Sequence, residues 1–304
     1  MPDGFRRTLL RLLGRMPTRC ALRAATIERV AIPGGVREKV SYTAERGDRV
    51  HAYLFLPEAP GPHPAVLCVH QHNREFHLGK SEPAGLAGNP EQAYALELSR
   101  RGYVTLAPDA IGFEERQHPI LRGQDYERFE ATKRLTEGSS LQAKMLWDLR
   151  RGLDYLTGRR EVDTRRVGCL GHSLGGQETL FLSAVDRRVA AAVSSCGFSS
   201  YQAIFDAAIN HNFAAYVPGL LRHGGVGRVL GLAAPRPFLA LAGRDDPIFP
   251  LAGVRATVRA ARGPYAGAKD GVRLRVFPGG HGFSAAMRGA AYAWFDRWLC
   301  GGGS

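Results

Sequence analysis

Arg166-Val-Gly-Cys-Leu-Gly-His-Ser-Leu-Gly-Gly176 is the stretch that decides the fold, because a short apolar run of strand character leads straight into Gly171-x-Ser173-x-Gly175. A serine hydroxyl is a poor nucleophile until a base takes its proton, so the chain must hold Oγ in the open. A sharp turn from strand to helix with serine at its tip does this. Glycines two positions before and two after let the turn close without Cβ collisions. Leu174 then opens the helix, where its N–H has no intrahelical acceptor and the helix dipole is positive, a favourable setting for an oxyanion.

Such a serine needs a base and an acid, and both types occur downstream. Phe238-Leu-Ala-Leu-Ala-Gly-Arg-Asp-Asp-Pro-Ile-Phe-Pro250 is an apolar strand followed by a turn. It sets Asp245 or Asp246 at a strand's carboxyl end, the edge where open α/β sheets build their sites. The residues by themselves leave the choice between these two open. Val272-Arg-Leu-Arg-Val-Phe-Pro-Gly-Gly-His281 alternates as a strand, relaxes through a glycine pair and presents His281 as the base.

Working outward, residues 27–32, 36–44 and 49–56 read as three strands joined by turns, an antiparallel entry to a sheet. Strand and helix then alternate. Strands are expected at 65–69, 103–107, 189–194, 237–242 and 272–277, besides the one ending at the serine; helices at 91–101, 140–158 and 284–299. This rhythm predicts an α/β fold with a mostly parallel central sheet and helices on both faces. Two stretches break it. Residues 111–138 are charged and irregular, and residues 198–233 carry Tyr201, Phe205, Phe213 and Tyr216, a content that suggests a lid insertion. The expected organisation is a basic amphipathic segment over 1–25, one catalytic domain over 26–300 with the lid within it, and a flexible tail at 301–304.

With 304 residues and 44% hydrophobic content the chain can bury a large core. Its net charge of +13 comes mostly from arginines spread along the sequence rather than gathered with aromatics, and no nucleic-acid-binding motif is present, so nucleic acid is not an expected partner. The charge can instead steer acidic substrates. Five scattered cysteines form no Cys-x-x-Cys pair. They read as free thiols in a reducing compartment, and a cytoplasmic location is expected. Near the start, Arg6-Arg7 precedes leucines as in a twin-arginine export leader, but Arg11, Arg15, Arg19 and Arg23 interrupt every apolar core. As a helix, the segment puts Phe5, Leu9, Leu12, Leu13 and Met16 on one face, suited to packing on its own domain or to peripheral contact with an anionic membrane. No apolar run approaches a transmembrane span.

With serine, acid and histidine in this order, the chain resembles the α/β-hydrolase superfamily over nearly its whole length, except for roughly the first 25 residues. Val69-His-Gln-His-Asn73, Leu78-Gly-Lys-Ser-Glu82, Ala107-Pro-Asp-Ala-Ile-Gly-Phe-Glu-Glu-Arg116, and Val217-Pro-Gly219 ahead of Ala234-Pro-Arg-Pro237 look like the branch of acetyl-xylan-esterase-like and dienelactone-hydrolase-like proteins. Dienelactone hydrolases proper carry cysteine at the elbow, whereas this chain has Ser173. The resemblance to a Gly-x-x-Asp-x-x-x-Pro pattern puts Gly243, Asp246 and Pro250 in register and implies Asp246 as the acid. It also implies that a His-Gly-x motif supplies the second oxyanion donor; the matching residues are His70, Gln71 and His72, so the donor is the backbone of His72, or alternatively of Gln71, which stands in place of the usual glycine. His70 is then a structural residue. Gln71, Asn73, Arg74, Glu114 and Tyr216 are candidate pocket residues. The implied activity is a serine esterase acting on a small-molecule carboxylic ester, with no metal and no cofactor. A serine peptidase or amidase on the same triad is the alternative. A metal-dependent hydrolase using His70 and His72 with His77 nearby, and a non-catalytic binding protein of this fold, are further readings.

Overall fold

The computed structural model describes residues 2–268 and 270–301; of the tail expected at 301–304, residues 302–304 lie outside them. After helix α1 (Pro2–Leu13) come strands β1 (Ala25–Ile32), β2 (Gly35–Glu45), β3 (Asp48–Pro57) and β4 (His63–Val69). Next are α2 (Tyr94–Ser99), β5 (Val104–Pro108), α3 (Gly123–Thr136), α4 (Leu141–Thr157), β6 (Val162–His172), α5 (Leu174–Val185) and β7 (Ala191–Ser195). The chain continues through α6 (Tyr201–Asp206), α7 (Gly225–Gly231), β8 (Phe238–Gly243), α8 (Leu251–Ala261), β9 (Val272–Phe277) and α9 (Ala285–Leu299).

The strands form one sheet in the order β1-β2-β3-β5-β4-β6-β7-β8-β9. The pairs from β1 to β3 and the β3–β5 pair are antiparallel, while β5, β4 and β6 to β9 run parallel, so the sheet is mixed. The chain leaves β4 for β5 on one side and then returns past it to β6 on the other. That reversal opens a crevice at the carboxyl ends of β4 and β6, the expected place for a site.

Side-chain alternation along β4 shows how the sheet is covered. Ala65, Leu67 and Val69 pack with α1, α4, α5, α7 and α8, whereas Val66 and Cys68 face α2 and α9. Both faces are therefore apolar, which is why these strands read as continuous hydrophobic runs. In α1 the residues Phe5, Leu9 and Leu13 are buried in the first of these layers, a contribution of about 5 kcal/mol before chain entropy is subtracted. Ser140 caps α4 by accepting from Ala143 N–H and donates to the Leu13 carbonyl, tying α1 to the domain. No helix among the described residues is long and apolar enough to cross a membrane. All five cysteines are free, and Cys68, Cys169 and Cys196 are buried.

Two expectations change. The helix placed at 91–101 shortens to α2, because Asn89 and Pro90 first set up a 3₁₀ turn at Pro90–Gln92. The stretch 111–138, read as irregular, contains α3. Its buried residues are Glu127, Glu130, Ala131 and Arg134, so an apolar period could not announce it. Residues 198–233 hold α6, α7 and two 3₁₀ turns, and Val217, Leu220, Val226, Val229 and Leu230 join the main core.

Candidate active site

At the β6–α5 junction, Ser173 adopts φ 55° and ψ −119°, a left-handed conformation costly for any residue with a Cβ. Close backbone approach explains its neighbours. A Cβ on Gly171 would run into the carbonyl of Gly175, and one on Gly175 into the carbonyl oxygen of Val69 on β4. A Cβ on Gly176 would meet the Ser195 carbonyl at the end of β7. The glycines thus let α5 start against two strands at once, while Ser173 N–H donates to Ser195 O and fixes the turn.

His281, on the loop after β9, lies between the serine and the acid. Its Nδ1 is 2.9 Å from Asp246 Oδ2 and its Nε2 is 2.9 Å from Ser173 Oγ. An ionised carboxylate only accepts, so Nδ1 carries the proton and the Nε2 lone pair faces the serine hydroxyl. Asp246 is itself held: its Oδ1 accepts from the N–H groups of Ile248 and Phe249, each at 3.0 Å. Burial pushes its pKa up, but the His281 contact and the two N–H groups outweigh that and keep it below the usual carboxylate value. Asp245 is exposed, and its backbone N–H donates to Gly279 O.

The loop after β4 runs beside the elbow because Val69 pairs with Gly171. Among the described residues, the N–H groups of Leu174 and His72 donate to no protein acceptor, as an oxyanion hole requires. The His72 ring packs edge-on against Phe76 and Phe113, its Nδ1 accepts from Arg74 N–H, and its Nε2 meets Glu127 of α3 at 3.2 Å. His70 Nδ1 donates to Gln71 O and its Nε2 accepts from Ala110 N–H, so it joins the loops after β4 and β5. Burial lowers its pKa to about 4, which keeps it neutral. Both ring nitrogens of each of these histidines are engaged within the protein, and His77 is exposed, so the His70/His72/His77 set does not converge on a metal.

A cavity of ≈ 20 Å³ lies beside Phe249 and His211, with Gln177, Phe198, Tyr201 and Ala215 also in its walls and no triad residue among them. None of the expected pocket residues lines it. Gln71 donates to Glu82, Asn73 and Arg74 are exposed, and Tyr216 accepts from His211 N–H. Glu114 braces the loop at 80–81 through Lys80 Nζ, at 2.6 Å, and Ser81. The residues that sequence reasoning missed are His211 and Phe249. Their rings stack at 4.5 Å, Phe249 stacks in turn on His281 at 5.7 Å, and His211 Nε2 donates to Ile248 O. His211 comes from the 198–233 stretch, where no periodicity marks a contact with segments so far along the chain.

The model described as the dienelactone hydrolase family matches residues 50–218. A curated relative, "Putative hydrolase YtaP" of Bacillus subtilis (strain 168), is 31% identical over 301 residues, covering 97% of this chain and 98% of its own. Among solved structures, a glucuronoyl esterase from Solibacter usitatus superposes with a TM-score of 0.74 at 17% identity, covering 96% of this chain and 91% of that one. Acetyl xylan esterase 1 from Thermoanaerobacterium sp. JW/SL YS485 gives 0.65 at 20% identity, covering 97% and 92%. At these identities the two structures speak to the fold alone.

Proposed function

The chain belongs to the dienelactone hydrolase family of hydrolytic α/β proteins, and from that premise we propose that it is a serine esterase acting through an acyl-enzyme. The observation that carries this reading is the pair of 2.9 Å contacts from His281 to Ser173 and Asp246, with the imidazole tautomer set by the carboxylate. His281 Nε2 takes the hydroxyl proton as Ser173 Oγ attacks the ester carbonyl. The N–H groups of Leu174 and His72 receive the oxyanion, and Asp246 stabilises the imidazolium. The imidazolium then gives its proton to the departing alcohol. Water, activated by the same nitrogen, releases the acid and restores Ser173.

Taken as the acyl pocket, the ≈ 20 Å³ cavity beside Phe249, whose ring stacks on His281, has room for about one water-sized or methyl-sized group, which favours acetyl over longer acyl chains. Its walls come largely from residues 198–233, which then serve as the lid over the acyl side. The test combines fluorophosphonate labelling with hydrolysis of p-nitrophenyl acetate and its longer homologues. Label at Ser173, faster turnover of acetate, and a loss in kcat of about 10⁴-fold or more in Ser173→Ala are expected. Unlabelled, inactive, folded protein would overturn the esterase reading, and preference for long acyl chains would overturn the lid and cavity assignment.

A further inference from the structure

Residues 14–24, between α1 and β1, form a strap without regular structure. Arg15 N–H donates to Gly138 O, Ser139 Oγ to Arg15 O, Thr43 N–H to Leu22 O, and Arg151 to Cys20 O. Pinned at these points, the strap arches over the β2–β3 turn and the α3–α4 connection, leaving an open groove of ≈ 1120 Å³. Arg15, Arg19, Arg23, Arg46, Arg49 and Arg134 line it. Against them stand Glu45, Asp48 and Glu137.

Two of those acids already have cationic partners, and one of the lining arginines, Arg134, is itself paired with Glu45 and Glu130. Glu45 pairs with Lys144 at 2.6 Å and with Arg134, and Asp48 with Arg116 at 2.6 Å and Lys144 at 2.5 Å. Arg19 pairs with Asp154 but is largely exposed. Arg49 bonds only neutral groups: Ser41, Thr43 and the Arg23 carbonyl. Among the described residues, the guanidinium groups of Arg15, Arg23 and Arg46 meet no carboxylate. The groove thus holds an excess of unpaired planar cations, each suited to a carboxylate by two parallel hydrogen bonds.

Its position relates it to the hydrolytic site. β3 runs antiparallel to β5 with Ala52 opposite Pro108, so the β2–β3 turn lies at the same end of the sheet as the carboxyl end of β5. Helix α3 spans the two places: Glu127 holds His72 and Arg134 lines the groove. The helical rise between those two positions is about 10 Å.

We propose that this groove binds an acidic oligosaccharide, a glycan chain bearing carboxylates. The chemistry of its walls selects this occupant. No Phe, Tyr or Trp among the described residues lines the groove, so nucleic-acid bases have nothing to stack on. The adjacent start of α4 is capped by Ser140, so no bare helix N-terminus is offered to a phosphate. A concave depression does not match a flat bilayer surface. Glu137 and Thr18 add an acceptor and a hydroxyl for sugar hydroxyl groups, which a phosphodiester backbone lacks.

The experiment is equilibrium binding of an end-labelled oligogalacturonate to the full chain at low ionic strength, beside a neutral xylo-oligosaccharide, single-stranded DNA and anionic vesicles. Arg15, Arg23 and Arg46 are exposed and, among the described residues, free of ion pairs, so a triple Arg→Gln variant is expected to fold. Its fold is checked by circular dichroism and thermal melting. Saturable oligogalacturonate binding that weakens with salt, and by at least about tenfold in the triple variant, is expected. No binding, equal binding by the variant, or DNA or vesicles held as tightly with the same arginine dependence would overturn the proposal. Binding is read without turnover, so this inference and the esterase reading fail independently.

Discussion

Replacing the Asp246 carboxylate by an amide tests the tautomer argument on which the proposed mechanism turns. In the native site Oδ1 accepts two backbone N–H groups at 3.0 Å and Oδ2 accepts His281 Nδ1–H at 2.9 Å. The amide introduced by Asp246→Asn can keep its oxygen on the Ile248 and Phe249 N–H groups, because those groups only donate. Its NH₂ then faces His281 and donates to Nδ1. The imidazole responds by carrying its proton on Nε2, pointing an N–H at Ser173 Oγ where a lone pair is needed. The base is disabled while every buried hydrogen bond keeps a partner. Asp246→Asn should therefore lower kcat about 10⁴-fold, equivalent to about 5 kcal/mol of transition-state stabilisation, with little change in melting temperature. Asp245→Asn, at an exposed turn, should leave kcat within about twofold, as surface substitutions away from the reacting groups do. The assay is steady-state hydrolysis of p-nitrophenyl acetate by both variants, with thermal unfolding as the control. Retention of more than a tenth of wild-type kcat in Asp246→Asn, or a greater loss in Asp245→Asn, would refute the assignment.

Further outcomes follow from the packing around the elbow. In Gly175→Ala the new methyl meets the Val69 carbonyl oxygen, a backbone atom that cannot swing aside; a loss of about 2 kcal/mol or more in urea unfolding is expected, together with reduced turnover. Gly289→Ala in α9, where a Cβ meets nothing within 4 Å, should instead be neutral or stabilising by about 0.5 kcal/mol in the same unfolding assay. Glu178 of α5 is fully enclosed, bonded to Gln142 and Gln177, and burial raises its pKa to about 8. Folded protein thus keeps this proton at neutral pH while unfolded chain has lost it, so the contribution is complete below about pH 4.5 and declines as pH rises to about 8. Glu178→Gln should flatten the fall in melting temperature across that range; an unchanged slope would show that other groups cause it.

How much of this was legible in the sequence depends on how locally each feature is encoded. The elbow was readable because a left-handed serine between two closely approached backbones tolerates almost nothing but glycine at 171 and 175. The parallel strands were readable as short continuous apolar runs because both sheet faces are buried. α3 was not, since its inward side chains are charged and their partners, His72 and Glu45, lie in distant segments. Gln71, Asn73, Arg74, Glu114 and Tyr216 sit on loops near the site, and loop ends carry no signal of where their side chains turn.

From its sequence by itself the chain's fold class followed, as did the order of serine, acid and histidine, through short-range rules of turn geometry and strand period. Only the tertiary structure decided which ring nitrogen faces the serine, that His211 and Phe249 stack behind His281, and that a strap folds six arginines around one groove. Those outcomes arise from contacts between segments far apart in the chain, where packing and burial select the partners and no local pattern encodes the choice.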